Sequence, residues 1–131
     1  MNLRKLSVKD IPFIKEWMSD QSINRQFKTD FSVYTYDKIA KFIQDAQDFS
    51  SHRHYAIVDE KDEYLGTISL KEIDIMNRKA EYAIVLRRIA IGTSIASDAT
   101  HQILKIAFTE LMLNKVYLNV LVYSPSANKK K

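Results

Sequence analysis

The clearest candidate for chemistry in this sequence is an anion-binding junction between a strand and a helix. An apolar, strand-like run (residues 80–86) leads into a loop (residues 87–94) that holds one of only two glycines, and a helical pattern follows over residues 95–113. The first N–H groups of a helix have no partner inside it, and the helix dipole places partial positive charge there. Residues 92–94 (Gly-Thr-Ser) therefore lie where a phosphate group would bind. An ordinary strand-to-helix connection explains the same pattern, and the residues alone leave both interpretations open.

Metal and thiol chemistry are not expected. The sequence has no cysteine, which excludes disulfides, a thiol nucleophile and zinc–thiolate sites. His52 and His54 form an H-x-H pair on one face of a predicted strand, but a metal site needs a third ligand, and the sequence indicates none. His101 is expected on the surface of the long helix. We therefore predict no bound metal.

Length and charge narrow the class of protein further. The 131 residues predict a single domain (residues 1–131) with a buried core. No apolar run approaches the length needed to cross a bilayer, and the N-terminus lacks the apolar segment of a signal peptide, so a cytoplasmic protein is expected. The net charge of +4 includes Lys129, Lys130 and Lys131, without which 17 basic residues face 16 acidic ones. Such a short basic tail gives no reason to predict a nucleic-acid or membrane partner.

Hydrophobic periodicity divides the chain into strands and helices. The predicted strands are residues 2–7, 54–58, 64–70, 79–86 and 115–122, and the predicted helices are residues 11–18, 36–49 and 95–113. The segment over 19–33 is expected to be irregular or weakly helical. The first helix takes Asp10 as its N-cap, because a start at Ser7 would require Pro12 to donate a hydrogen bond that it cannot make. Thr35 is the expected N-cap of the second helix.

The elements follow the order β-α-α-β-β-β-α-β. Residues 54–86 form an antiparallel meander with polar turns at 59–62 and 76–78. The strand at 115–122 should run parallel to the strand at 79–86, because a helix separates the two. The chain is therefore predicted to be an α+β protein with three layers and a mixed sheet. The cleft at the parallel junction lies beside the N-terminus of the long helix, which is where open sheets bind ligands.

Four stretches, taken in order, resemble a known family. They are residues 10–17 (DIPFIKEW), 64–70 (YLGTISL), 80–82 (AEY) and the passage from Ala107-Phe108 to residues 113–118 (LNKVYL). Their order and spacing resemble the GNAT superfamily of acetyl-CoA-dependent N-acetyltransferases, on the branch that includes ribosomal-protein and sugar-amine acetyltransferases. The resemblance covers nearly the whole chain and implies the GNAT-like mixed sheet.

The resemblance also implies that the loop before the long helix binds the pyrophosphate of acetyl-CoA. The family motif is Arg/Gln-x-x-Gly-x-Gly/Ala, and the matching window is residues 91–96 (IGTSIA). Ala96 fits the motif, whereas Ile91 replaces the cation or amide, and Ser94 replaces a glycine but brings a hydroxyl donor. The implied cofactor contacts are backbone groups of Ile84, Val85 and Leu86 for the pantetheine arm, and of Ile91, Gly92, Thr93, Ser94, Ile95 and Ala96 for the pyrophosphate.

The C-terminal residues depart from the family pattern. After the strand that corresponds to residues 115–122, the family carries Asn-x-x-Ala-x-x-x-Tyr, then another helix and two more strands. Ser124 stands at the Asn position, Ala127 matches, and Lys131 falls on the position of the tyrosine that acts as general acid in the family. We therefore expect an acetyltransferase-like domain that lacks its last helix and strands, in which no residue inherits the role of that tyrosine.

The resemblance implies direct transfer of an acetyl group from acetyl-CoA to a primary amine of a small molecule, a sugar or a protein. Glu81 is the candidate general base, since a carboxylate on its strand takes the amine proton directly or through water. The alternative is a solvent-facing carboxylate paired with Arg78 or Lys79. Asn24 and Arg25 are the candidate acceptor-binding residues, with an ordinary polar loop as their alternative.

Two other functions stay open from the sequence. A catalytically impaired remnant would bind coenzyme A without turnover, and an interaction domain would only mediate protein–protein association. The open sheet edge left by the missing strands would invite pairing with another chain. We therefore predict a homodimer through the last strand, at the exposed sheet edge, or through a swapped element.

Overall fold

The part of the chain that the structure describes is built on one five-stranded mixed sheet. The computed structural model describes residues 1–25, 27 and 29–118. The strands are β1 (Asn2–Lys5), β2 (Arg53–Val58), β3 (Tyr64–Asp74), β4 (Lys79–Leu86) and β5 (Lys115–Leu118), and they lie in that order across the sheet. Strands β1 to β4 pair antiparallel, and β4 pairs parallel with β5. The predicted α+β sheet with its parallel junction is confirmed.

Helices cover both faces of this sheet. They are α1 (Ile11–Met18), α2 (Gln21–Asn24), α3 (Tyr36–Asp45) and α4 (Ile95–Lys105), with 3₁₀ turns at Val8–Asp10, Phe31–Val33 and Arg88–Ala90 and a π-helical segment at Ile106–Glu110. Helices α1 and α3 bury residues such as Trp17 and Ile39 against one face, together with Val85. Helix α4 buries Ile103 against the other face, together with Ile84. Neighbouring residues of β4 therefore face opposite layers, as the two-residue period of a strand requires.

The start of α1 follows the prediction only in part. The helix begins at Ile11 with Pro12 in its first turn, as expected. The carboxylate of Asp10, however, does not cap α1: it accepts a hydrogen bond from the Ser7 amide at 2.9 Å and pairs with Arg4 at 2.8 Å. It thereby closes a capping box around the 3₁₀ turn that precedes the helix. Ser7 is therefore not the N-cap of the α-helix, as predicted. It is instead the N-cap of a 3₁₀ turn that the sequence did not lead us to expect.

Two helices end earlier than the periodicity indicates. Helix α3 stops at Asp45, because the side-chain amide of Gln47 donates to the carbonyls of Ile43 at 3.0 Å and Leu6 at 2.9 Å. Helix α4 stops at Lys105 and widens into the π-helical segment. Strand β3, in contrast, runs four residues beyond the predicted end at residue 70. No helix in the described part of the chain is long and apolar enough to cross a membrane.

Several predicted features lie outside the described residues. They are the second half of the last predicted strand, at residues 119–122, and the family positions at Ser124, Ala127 and Lys131. The described ladder between β4 and β5 pairs residues from Lys79 to Tyr82 with residues 115–118. The cleft predicted at this parallel junction therefore stays a prediction.

Strands β3 and β4 approach each other most closely at Gly66. A Cβ atom added there would lie 2.4 Å from the carbonyl oxygen of Val85 and 2.9 Å from Cδ2 of Leu86. Only glycine therefore fits this position without moving the backbone of β4. The contact fixes the end of β4 that leads into the loop at residues 87–94.

Candidate active site

A cavity of about 520 Å³ lies between the α1–α3 layer and the sheet. Helix α1 contributes Ile14, Trp17 and Met18, helix α3 contributes Ile39 and Phe42, and the sheet contributes His54, Thr67, Ser69, Lys71, Ala83 and Val85. Because alternate residues share one face of a strand, the floor consists of rows that cross β2, β3 and β4. One such row is His54, Ser69 and Ala83, which are register partners. Ala83 and Val85 of β4 thus form part of the floor of the cavity.

Glu81 lies on the same face of β4 as Ala83 and Val85, two residues before Ala83. That spacing is about 7 Å along a strand. Its side chain is only 8% exposed, so it is not the solvent-facing carboxylate of the alternative interpretation. Its register partners are Lys71 on β3 and Tyr117 on β5. Among the described residues no hydrogen bond or ion pair engages its carboxylate.

His54 was noticed in the sequence only as half of an H-x-H pair, and its place in the cavity was missed. Its Nδ1 atom lies 2.7 Å from the Ser69 hydroxyl, and its ring packs edge-on against Phe42 with 5.0 Å between ring centres. Burial, followed by the charges of His52 and Lys71, lowers the pKa of His54 from 6.5 to about 4. The imidazole is therefore neutral near pH 7. Because side chains alternate between the two faces of a strand, the position of His54 in β2 is the signal that could have placed its side chain on the cavity face.

The loop before α4 has the backbone geometry expected of an anion site. Gly92 has a φ of +85°, which favours glycine. The Thr93 hydroxyl donates to the Ala90 carbonyl at 2.6 Å and accepts from the Ile95 amide at 3.2 Å, so one of the first amides of α4 is already bonded. Within the described residues the amides of Ser94, Ala96 and Ser97 have no acceptor. Three donors at this helix start therefore remain for an anion.

Arg87, at the end of β4, holds this edge of the site in place and was not singled out from the sequence. Its guanidinium donates to Glu63 at 2.8 Å, to Glu16 at 3.2 Å and to the Tyr64 carbonyl at 3.0 Å. It also lies 4.5 Å above the ring of Phe13. Burial opposes its charge, but the two carboxylates outweigh burial and raise the pKa of Arg87. Its partners lie far away in the sequence, so only the fold brings them together.

Asn24 and Arg25 lie away from this cavity and line a separate, more open depression. The side-chain amide of Asn24 is used within the protein: it donates to the Met18 carbonyl and accepts from the Phe31 amide at 3.1 Å. Phe31 does line the cavity. Asn24 therefore shapes the cavity indirectly, by fixing the segment that carries Phe31.

A model of the acetyltransferase (GNAT) domain matches residues 1–123. The chain belongs to the GNAT acetyltransferase family. One relative is the spermidine N(1)-acetyltransferase of Vibrio cholerae, 26% identical over 127 residues that span 97% of this chain and 73% of the relative. Another is an uncharacterized N-acetyltransferase, p20, of Bacillus licheniformis, 30% identical over 92% of this chain and 69% of the relative.

A solved structure supports the same assignment. The GNAT domain superposes on the crystal structure of the Vibrio cholerae spermidine N-acetyltransferase in complex with CoA and spermine, with a TM-score of 0.81 at 25% identity. The match spans 98% of this chain and 73% of the other. Family and fold thus confirm the resemblance, and with it acetyl-CoA as acetyl donor and an amine as acceptor. They do not favour the alternative of a catalytically impaired remnant that binds coenzyme A without turnover or only mediates protein–protein association.

Proposed function

We propose that this GNAT domain acetylates the primary amine of a small molecule held in the cavity between α1, α3 and the sheet. The observation that supports this most directly is the position of Glu81. It is a buried carboxylate without a protein partner in the described residues, on the same face of β4 as Ala83 and Val85, which line the cavity. In such a site a carboxylate acts as a general base toward an amine.

The reaction is a direct transfer. The amine nitrogen attacks the carbonyl carbon of the acetyl thioester, a C–N bond forms, and the C–S bond breaks. Glu81 takes the proton that the nitrogen loses, directly or through a water molecule, and coenzyme A leaves as the thiolate. The protein contributes by positioning the two reactants and by donating N–H groups to the developing oxyanion.

Acetyl-CoA would lie along the second half of β4 and the loop that follows. The backbone of Ile84, Val85 and Leu86 would hold the pantetheine arm, and residues 91–96 would hold the pyrophosphate. The unbonded amides of Ser94 and Ala96 support this arrangement. The neutral side chain of Ile91 adds no charge, so the backbone would supply most of the phosphate contacts.

The relatives support a small-molecule acceptor, because those with a named substrate are spermidine N-acetyltransferases. Asn24 would help to form the acceptor site indirectly, by holding the segment that carries Phe31. Arg25 would line the separate depression beside it. The homodimer through the last strand and the cytoplasmic location stay predictions of this proposal. Light scattering after size-exclusion chromatography tests the dimer, and a monomer at high concentration would contradict it.

The test of the proposal is Glu81→Gln, which keeps the size of the side chain and removes the base. We expect kcat to fall by about 10²- to 10⁴-fold, the range typical of a general base, while the Kd for acetyl-CoA is unchanged. Thiol release measures the rate and calorimetry the affinity. The matched control is Glu60→Gln, because the side chain of Glu60 is 89% exposed and distant from the cavity lining. An unchanged kcat in Glu81→Gln would overturn the role of this residue.

A further inference from the structure

We propose that the acceptor is an amine with one nitrogen and an apolar body of aromatic size, rather than a polyamine. This inference rests on the proposed function and names the substrate class of the same site. It follows from three features of the cavity. Its lining is mostly apolar, its polar groups form hydrogen bonds within the protein, and its surroundings oppose the binding of additional positive charge.

The lining is mostly apolar and rich in aromatic rings. Trp17, Phe31, Tyr34 and Phe42 surround the space above the sheet, and Val85 lies below it. The indole N–H of Trp17 is already bonded to the Tyr64 hydroxyl at 3.1 Å, so this ring offers its apolar surface. A volume of about 520 Å³ is ample for an aromatic ring with a short aminoalkyl chain.

The polar groups of the lining are largely engaged within the protein. The Thr67 hydroxyl lies 2.6 Å from the Tyr64 hydroxyl, and Nδ1 of His52 accepts from the Glu72 amide at 2.9 Å. The Ser69 hydroxyl is likewise engaged, because it lies 2.7 Å from Nδ1 of His54. Such groups gain nothing from a substrate that brings additional donors, whereas an apolar body leaves their bonds intact.

The carboxylates at the rim are also engaged. Asp45 pairs with Lys41 at 2.9 Å, and Asp48 accepts from the Ser50 amide at 2.9 Å. Both are exposed to solvent, where attraction for a second ammonium group is weak. Neither therefore offers a strong site for the far end of a polyamine.

Positive charge is disfavoured in the interior of the cavity. Lys71 is one of the lining residues, and burial, followed by the charges of His52 and Lys71, lowers the pKa of His54. Each additional charge of a polyamine would meet Lys71 and lose water. A single amine, in contrast, needs only to be deprotonated before it attacks, and Glu81 is the one buried carboxylate on this face of β4 in the described residues. The site thus matches one reacting nitrogen on an apolar body.

The experiment compares kcat/KM for 2-phenylethylamine and spermidine, with thiol release as the readout. We expect 2-phenylethylamine to be preferred at least tenfold. Phe42→Ala should lower kcat/KM for 2-phenylethylamine about tenfold or more, the range for lost apolar contacts in a pocket, and change the value for spermidine less than twofold. The matched control is Phe108→Ala, since Phe108 is 44% exposed against 40% for Phe42 but does not line the cavity. It should leave both values unchanged.

Lys71→Met provides a second and independent test, because it removes the positive charge and keeps the length of the side chain. It should raise kcat/KM for spermidine relative to 2-phenylethylamine. A tenfold preference of the unmodified protein for spermidine, or an equal loss for both amines in Phe42→Ala, would overturn the inference. Acetyl-CoA binding without acetylation of any primary amine would instead overturn the proposed function.

Discussion

The guanidinium of Arg88 forms a two-point ion pair with the carboxylate of Asp20, with Nε 3.0 Å from Oδ2 and Nη2 2.8 Å from Oδ1. Asp20 is the N-cap of α2, near the candidate acceptor residues Asn24 and Arg25, and Arg88 begins the 3₁₀ turn two residues after the end of β4, near the proposed cofactor loop. Hydrogen bonding to Ser22, and then to Arg88, lowers the pKa of Asp20. The pair therefore connects the two halves of the proposed site.

Replacing Arg88 by glutamine should weaken this connection without unfolding the protein. The side chain of Arg88 is 65% exposed, so the free energy of unfolding should fall by less than about 1 kcal/mol. We expect the KM values for acetyl-CoA and for the amine to rise together, because both segments lose a common support. Glu110→Gln, which breaks the surface pair with Arg53, is the control. KM values equal to those of the control would contradict a connecting role.

Removing the charge of Asp98 should tighten the binding of acetyl-CoA. Asp98 lies in the first turn of α4 and accepts from the Ser94 hydroxyl at 3.2 Å, so its negative charge adjoins the proposed pyrophosphate site. Asp98→Asn should lower the Kd about twofold to fivefold at low salt, and added salt should reduce this gain. Asp37→Asn, which changes the corresponding first-turn carboxylate of α3, should leave the Kd unchanged in the same calorimetric measurement. An unchanged Kd in Asp98→Asn would contradict a pyrophosphate site at this helix start.

Gly66→Ala should destabilise the protein by about 1–3 kcal/mol, the usual cost of an overpacked site. The added Cβ would meet the backbone carbonyl of Val85, which cannot turn aside as a flexible side chain does. Gly92→Ala is the comparison: nothing lies within 4 Å of its added Cβ, and only its φ of +85° opposes the change, at about 1 kcal/mol. Urea unfolding measures both. If Gly92→Ala were the more damaging change, the close approach of β3 and β4 would not be the limiting contact.

Stability should depend on pH through His54. Its pKa falls from 6.5 in the unfolded chain to about 4 in the folded protein, so between these values the unfolded chain binds a proton that the native state does not. The free energy of unfolding should be unaffected by His54 above pH 6.5 and should decrease as the pH falls toward 4, by at most about 1.4 kcal/mol per unit.

His54→Gln should remove this part of the pH dependence, whereas His101→Gln, at an exposed position, should keep it. Urea unfolding at several pH values between 4 and 7 is the measurement. A slope in His54→Gln that equals that of the unmodified protein would contradict the assignment of the pH effect to His54.

The order and type of the elements could be predicted from the sequence because they depend on local periodicity. The change from a 3.6-residue to a two-residue period identified β2 to β4, and the helix before β5 required a parallel junction. Thr35 was recognised as the N-cap of α3 because its partner, the Lys38 amide, lies three residues away. Helix ends were predicted less well. The end of α3 depends on a bond from Gln47 to Leu6, which is 41 residues distant in the chain.

The sequence by itself determined that Glu81 shares a strand face with Ala83 and Val85 and that a glycine-containing loop precedes α4, since both follow from spacing along the chain. Only the tertiary structure decided that α1 and α3 cover that face, that His54 and Lys71 join the same cavity, and that Arg87 meets Glu16 across 71 residues. The physical reason is that burial and ion pairing depend on which surfaces pack together. That choice is made by the whole core at once, so no local pattern contains it.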